Sequence, residues 1–424
     1  YTWIGVMGSP CFIRCLLLLL LQGSIWITIA VPYESPSPPH IVFLLADDLG
    51  WNYVPWHNQK VIAPNLAELA DAGVLLEQSY VQPVCSPSRS ALMTGMYPFH
   101  LGRQSSPILA QQPSGVPLNF TFLPERLKDL GYSTHAIGKW HMGFCDIAYT
   151  PLQRGFDTFY GFYTGRVEYY NHTSCDLHIM HGYDFRDQEK VDLGANGTYS
   201  EELFTQRALE VINSQEEKNQ PMFLYLPYQN VHGPFQVPNK FYNMYPNVED
   251  NNTRIGMGMV SAMDMSVGLI VDALKDTGIY NNTIIVFSTD NGGVGGPLKD
   301  TNTPLRGSKA TLWEGGTRGA AFVHSPLLQD TPRTYSGLMH ITDWYNTLLS
   351  AAGAQHLPQN DGFNQWDAIR TGTRDSPRTK MIYNIDESSG SELYAAIRVG
   401  DYKFMMGEKA TTVEPGPFLF NLKG

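Results

Sequence analysis

Cysteine is scarce in this chain, with five in 424 residues. Cys11 and Cys15 fall in an N-terminal segment read below as removed, which leaves Cys85, Cys145 and Cys175. Three thiols cannot make a disulfide-dense scaffold, and an odd number leaves one needing an explanation. Charge is sparse too: charged residues make up 16% of the chain, acids outnumber bases, and the formal net charge is −11. With no long Lys/Arg run, this excludes nucleic acid as the main partner. It does not exclude an anionic substrate, because a local cluster of Lys, His and metal can reverse the field in one pocket. Long apolar runs are missing as well. Leu16 to Leu21 is interrupted by Gln22, Gly23 and Ser24, well short of the roughly 20 residues a membrane span needs, and no later run is expected to span. There is no internal repeat, and no low-complexity tract comes after the Ser/Pro-rich stretch Glu34 to Pro39.

What is present begins with an export signature. Arg14 precedes the apolar run, and Thr28-Ile29-Ala30 gives the small-x-small pattern of a signal-peptidase site. Residues 1–30 are therefore expected to be a signal peptide and 31–39 a linker. Asn119, Asn171, Asn196, Asn251 and Asn281 each open an Asn-x-Ser/Thr sequon, which agrees with export. A hydrophobic content of 43% fits an ordinary globular protein with a large core.

Four short apolar runs have the character of strands buried on both faces, as in parallel sheets: Ile41 to Ala46, Ser133 to Ile137, Met222 to Leu226, and Thr283 to Ser288. Helical patterns lie between them. Pro64 to Ala72 starts with Pro and stops at Gly73. Ser200 is expected to cap a stretch bearing Leu203, Phe204, Ala208, Val211 and Ile212. Met263, Val267, Ile270 and Leu274 come next at helical spacing towards Gly278. Alternating strands and helices imply an α/β domain with a mainly parallel sheet.

The polar residues at the strand ends carry the chemistry. The first strand runs into Asp47-Asp48, the second into Lys139-Trp140-His141, the third towards His232, and the fourth into Asp290-Asn291. Open α/β sheets bind ligands outside the carboxyl ends of their strands. Each cluster alone is weak, since an Asp pair after a strand is commonly a turn and a lone His or Lys commonly structural. All four together point to one site. Asp47, Asp48, Asp290 and Asn291 offer only oxygen ligands, the set a hard cation such as calcium or magnesium favours. Cys85-Ser86-Pro87-Ser88-Arg89, with an apolar stretch closing on Gly95, reads as a helix start and stop. Cys85 would then sit at a helix N-terminus, where free N–H groups favour an anion. The alternative is a buried structural thiol.

Cys85-x-Pro87-Ser88-Arg89 with Gly95 resembles the signature of the type I sulfatases, and Gly138-Lys139-Trp140-His141-Met142-Gly143 matches their second signature. The resemblance runs from Ile41 to Leu422 and is strongest to the arylsulfatase B, I and J group. Val81-Gln82-Pro83, Arg154-Gly155-Phe156-Asp157, Pro304-Leu305-Arg306-Gly307-Ser308-Lys309 and Trp313-Glu314-Gly315-Gly316 look like that group too. It implies an alkaline-phosphatase-like catalytic domain over 40–375 and a smaller α+β domain that starts at 376 and is cut short at 424.

The resemblance also implies roles. A formylglycine-generating enzyme would oxidise Cys85 to formylglycine (3-oxoalanine), whose hydrate attacks sulfur and later expels sulfate. One calcium would be held by Asp47, Asp48, Asp290, Asn291 and the residue made from Cys85. Lys139 and Lys309 would bind sulfate, with His232 also touching substrate. Arg89 would hold the hydrate, His141 would be the base in its collapse, and His232 with Lys309 would assist the leaving alcohol. The substrate implied is a sulfated sugar, such as a 4-sulfated N-acetylgalactosamine, or an aryl sulfate, in the lysosome or outside the cell. Two cysteines of the group are replaced around Gln111-Gln112, and Cys145 and Cys175 remain as the only pair for a disulfide. A phosphatase or phosphodiesterase of the alkaline phosphatase superfamily would place Ser or Thr at position 85 and zinc with several His ligands. A non-catalytic homologue would have lost a catalytic residue, and none of the named positions is lost.

Overall fold

The computed structural model describes residues 13–18, 27–32, 37–176, 180–215, 218, 220–387, 393–407 and 417–423, without the side chains of 13–18, 27–32, 175, 176, 180 and 181. The chain divides into two units, Tyr1–Pro38 and Pro39–Gly424. In the first, Ile13–Leu18 and Ile27–Pro32 pair antiparallel. The rest of the expected signal segment and residues 33–36 of the linker lie outside the described residues.

In the second unit the four apolar runs form strands His40–Ala46, Ser133–Lys139, Met222–Pro227 and Thr283–Thr289. They lie side by side and parallel at the centre of a ten-stranded sheet, in the order Ser133, Met222, His40, Thr283. Six further strands extend the sheet, and Phe322–His324 joins it antiparallel. Burial alternates with the period of two that a pleated strand imposes. Val42, Leu44 and Ala46 face one core cluster, while Ile41, Phe43 and Leu45 face another. Both faces are covered, which explains why these strands read as continuous apolar runs rather than as alternation.

Helices Pro64–Ala72, Ser200–Asn213 and Asn251–Asp276 contribute to the first cluster; Cys85–Thr94, Leu123–Asp129 and Asp343–Ala351 contribute to the second. Ser200 is the first helical residue rather than the cap: its hydroxyl donates to the Tyr169 carbonyl at 3.1 Å, and the cap position is Tyr199. Asn251–Asp276 also corrects the expectation that no later segment is long enough to span. Its length and hydropathy suffice, yet 78% of its apolar window is buried inside the protein.

The C-terminal part folds as a four-stranded antiparallel sheet, Lys380–Asp386, Tyr394–Val399, Tyr402–Met406 and Phe418–Asn421. Among the described residues no helix comes after Thr371, so the helical part of the expected α+β unit is not seen. Met381, Tyr383, Ala396 and Met405 pack with Tyr80, Leu312 and Trp313. Lys403 donates to the Leu312 carbonyl at 2.6 Å and to Glu314 at 2.9 Å. These contacts fix the segment immediately after Lys309.

Candidate active site

The strand register decides where the chemistry gathers. Leu45 pairs with Pro227 and Ala46 with Thr289, so the loops after three neighbouring strands leave the sheet at one level. Backbone bonds then lock them: Asp290 N donates to the Ala46 carbonyl at 3.0 Å, Asp47 N to the Asn230 carbonyl at 2.8 Å, and Val231 N to the Asp47 carbonyl at 2.6 Å. Gly138, near the end of strand Ser133–Lys139, has φ +125, and a Cβ there would lie 2.0 Å from the Pro227 carbonyl oxygen. Only glycine lets Lys139 reach the site along this path.

Cys85 is the first residue of helix Cys85–Thr94, which closes at Gly95 in the left-handed conformation, as the sequence implies. Ser88 Oγ accepts from Gln82 N at 2.8 Å and ties the helix start to the preceding segment. Cys85 is buried, and burial pushes its thiol up; Lys139 and Lys309 only partly offset this. An unmodified thiol here is therefore uncharged at neutral pH and a poor nucleophile.

One turn along, Arg89 is fully buried. Its Nε and Nη2 donate to Asp290 Oδ2 at 3.0 and 2.8 Å, and its Nη1 donates to the Lys139 carbonyl at 2.9 Å. Lys139 Nζ reaches Asp47 Oδ2 at 2.5 Å, and Lys309 Nζ reaches Asp48 Oδ1 at 2.6 Å. Asn291 Nδ2 donates to Asp48 Oδ1 at 2.7 Å. His232 Nε2 lies 3.6 Å from Asp48 Oδ2, and its Nδ1 is 2.6 Å from the Gly233 carbonyl. His141 Nε2 is 2.9 Å from the Ile108 carbonyl, and its Nδ1 is buried without a partner. The structure thus brings Asp47, Asp48, Arg89, Lys139, His232, Asp290, Asn291 and Lys309 into one connected network. Cys85 and His141 join it through their electrostatic coupling to Lys139.

The charges are strongly coupled. Burial would raise the Asp48 carboxyl, but Lys309, His232, Lys139 and the Asn291 hydrogen bond outweigh it and hold the group below the carboxylate range. Asp290 is raised by burial and by the neighbouring Asp47 charge, against the pull of Arg89. Burial pushes His232 down to about 3 despite Asp48, with Lys309 and Lys139 adding to the effect, although the side chain keeps 15% exposure. Burial also takes His141 well below its ordinary value, reinforced by Lys139 and Arg89. Both rings are neutral around pH 7, so His232 is not a ready proton donor before an anion arrives. Lys309 is raised by Asp48 above the ordinary lysine value despite burial, and it carries a proton throughout.

The donor set fits a hard cation. Asp47 Oδ1 and Asn291 Oδ1 are buried with no hydrogen-bond partner, and an unpaired oxygen in such a place needs a compensating interaction. Ligand atoms of Asp47, Asp48 and His232 come within 4.8 Å of one another. The residue pattern did not reveal the main-chain supports, the carbonyls of Ile108 and Asn230. Nor did it single out Tyr225, a strand residue whose buried phenol interacts electrostatically with Arg89. Main-chain groups leave no mark in residue types, and Tyr225 reads as one more apolar position. Asp48 at φ 57 and His141 at φ 56 are held in the left-handed region, the kind of backbone strain that gathers at functional sites.

The sequence profile of the sulfatase family matches residues 39–354. The chain belongs to the sulfatase family. It is 42% identical to mouse arylsulfatase J over 392 residues, covering 88% of this chain and 64% of that protein. It is 31% identical to mouse N-acetylgalactosamine-6-sulfatase over 386 residues, covering 87% of this chain and 72% of that protein. The crystal structure of Ps i-CgsB in complex with k-i-k-neocarrahexaose superposes with a TM-score of 0.81 at 30% identity, covering 91% of this chain and 87% of that one. This sulfatase-family chain spans under two thirds of the length of arylsulfatase J and of YdeN, an uncharacterized sulfatase of Escherichia coli strain K12, at 64% and 63%.

Cys145 is a free, exposed thiol, and the side chain of Cys175 lies outside the described residues. The bond expected between them is therefore not made at Cys145.

Proposed function

We propose that this protein hydrolyses a sulfate ester through a formylglycine made from Cys85. The observation that carries this reading is the placement of Cys85: it opens a helix, buried, with Arg89 one turn on and the cations Lys139 and Lys309 coupled to it. Helix N–H groups and two lysines are suited to an anion, and Cys85 in place of Ser or Thr argues against a phosphatase. The hydrated formylglycine supplies one hydroxyl that attacks sulfur, breaking the bond to the alcohol, and a second that collapses to the aldehyde and releases sulfate.

Asp47, Asp48, Asp290, Asn291 and the modified residue 85 would hold a calcium ion, which would supply Lewis-acid polarisation of the sulfate ester. Arg89 fixes the Asp290 carboxylate and the end of the Lys139 strand, so it positions the acidic cluster. Lys139 and Lys309 face the anion's oxygens. Lys309 carries the proton that the departing alcohol needs, and His232, which faces the same Asp48 carboxylate, becomes more basic as the bound anion offsets the lysines. His141, neutral and with Nδ1 unpaired, is suited to take the proton released when the hydrate collapses.

The substrate class we favour is a sulfated sugar. N-acetylgalactosamine-6-sulfatase and a carrahexaose-bound structure stand among the relatives, and the arylsulfatase B-like motifs agree with a 4-sulfated N-acetylgalactosamine or an aryl sulfate. Export to the lysosome or outside the cell fits the five sequon asparagines, all of which are exposed. The test is an assay of the purified chain, with residue 85 confirmed as formylglycine, against sulfated monosaccharides and aryl sulfates at pH 5 and 7. We expect turnover of at least one sulfate ester; turnover of phosphate esters alone would overturn the reading.

A further inference from the structure

The loop of residues 102–114 lies against the segments that follow Cys85 and His141. Ile108 N donates to Ser86 Oγ at 3.0 Å, and the Ile108 carbonyl faces His141 Nε2 at 2.9 Å. At the end of the loop, Gly115 bridges to Gly143, and Val116 N donates to the Met142 carbonyl at 3.0 Å. The loop also encloses an open cavity of about 320 Å³, with a polar lining of Arg103, Ser105, Ser106, Gln112 and Ser114. None of the candidate active-site residues lines it, and neither does any carboxylate.

Arg103 is the one charge in that lining. Its Nη1 donates to Ser114 Oγ at 2.7 Å, and because Ser114 lines the cavity too, this bond holds the guanidinium at the cavity wall. Nε is buried without a partner, whereas Nη2 remains accessible and makes no hydrogen bond among the described residues. Among the described residues Arg103 forms no ion pair. Asp386 comes near from the C-terminal sheet, but it accepts from Ser105 Oγ at 3.0 Å and does not line the cavity. Leu109 N donates to Gln112 Oε1 at 3.0 Å, which leaves the amide N–H groups of the exposed Gln112 as donors. The hydroxyl of Ser106, also exposed, adds another. A half-buried guanidinium with one neutral partner, beside amide and hydroxyl donors, is suited to an oxyanion.

We propose that this cavity binds a second acidic group of the substrate, a sulfate or carboxylate on the same sugar or on its neighbour. The inference rests on the sulfatase reading and narrows the substrate to sulfated sugars that carry another anion. Arg103 Nη2 pairs with one oxygen of that group, and Ser106 and Gln112 donate to the others. The site holds the sugar while the ester is cleaved at residue 85, so Arg103 acts on affinity and not on the chemical step.

The test is calorimetric titration of the full chain carrying Cys85→Ala, which consumes no probe. The probes are N-acetylgalactosamine 4-sulfate, its 4,6-disulfate, and glucuronyl-N-acetylgalactosamine 4-sulfate. We expect at least one of the two probes with a second acid to bind about tenfold tighter than the monosulfate; which of them does so tells a sulfate from a carboxylate. Adding Arg103→Gln should remove that preference, and Arg103→Lys, which keeps the charge without the fork, should retain part of it. Equal affinities for all three probes, no binding of any, or a preference that survives Arg103→Gln would overturn the proposal. Should Arg103→Gln fail to fold, the parent preference and the Arg103→Lys result still decide it. Turnover of the same probes by the formylglycine-bearing protein is read separately. The preference without turnover of any sulfate ester would sink the catalytic reading alone, and turnover without the preference would sink this inference alone.

Discussion

Arg89 and Asp290, 201 positions apart, meet in a two-pronged ion pair, with Nε and Nη2 at 3.0 and 2.8 Å from one carboxylate oxygen and both side chains wholly buried. The pair joins the helix that opens at Cys85 to the end of strand Thr283–Thr289. Removing one partner leaves an uncompensated charge in the interior. Arg89→Met should therefore cost about 3–5 kcal/mol of stability, read as a lowered urea midpoint, with loss of turnover. Arg89→Lys keeps the charge but loses the fork, and its stability should fall between the two.

Cys85→Ala should fold and show no turnover. Cys85→Ser is sharper: its hydroxyl can accept sulfate once but has no second hydroxyl to expel it. Mass spectrometry should find a sulfated serine and a stalled enzyme. Sustained turnover on an unmodified serine would overturn the formylglycine mechanism.

The all-oxygen donor set predicts calcium bound at one equivalent. Asp290→Ala and Asp47→Ala should each lower bound metal in elemental analysis, and a calcium chelator should lower the thermal midpoint of the native protein. Stoichiometric zinc in active protein would defeat this.

Glu201 should make stability pH-dependent. Its folded pKa, raised to about 8 by burial, lies above the ordinary 4.5 that the unfolded chain restores. The folded state then holds the extra proton between those values. Its contribution is fully present below about 4.5 and is lost as pH rises through 8, by at most about 1.4 kcal/mol per pH unit. Glu201→Gln should flatten the pH profile of the urea midpoint between 5 and 8 and exceed the native protein at pH 8. An unchanged profile would show that this carboxyl is not held neutral.

Cys145 should be alkylated by iodoacetamide in the native protein, since its thiol is free and exposed. Peptide mapping after labelling checks this. Recovery of Cys145 unlabelled and joined to Cys175 would restore the bond expected from the sequence.

The sequence by itself determined the central strands, the helix from Cys85 to Gly95 and the identity of the candidate residues. It could do so because a strand buried on both faces must be apolar along its length, and because packing alone rarely concentrates polar residues at the ends of several such strands. Only the tertiary structure decided how those residues meet. The register that sets Leu45 opposite Pro227, the lock between Asp47 and the Asn230 carbonyl, and the anchoring of His141 on the Ile108 carbonyl are made by main-chain groups that every residue type shares. Protonation is decided there too. A histidine's type permits a proton near neutrality, but burial beside Lys309 and Lys139 denies one to His232. Glu201 was invisible for the same reason: on a helix it reads as a solvated acid, and only the packing of Asn251–Asp276 against Ser200–Asn213 removes its water.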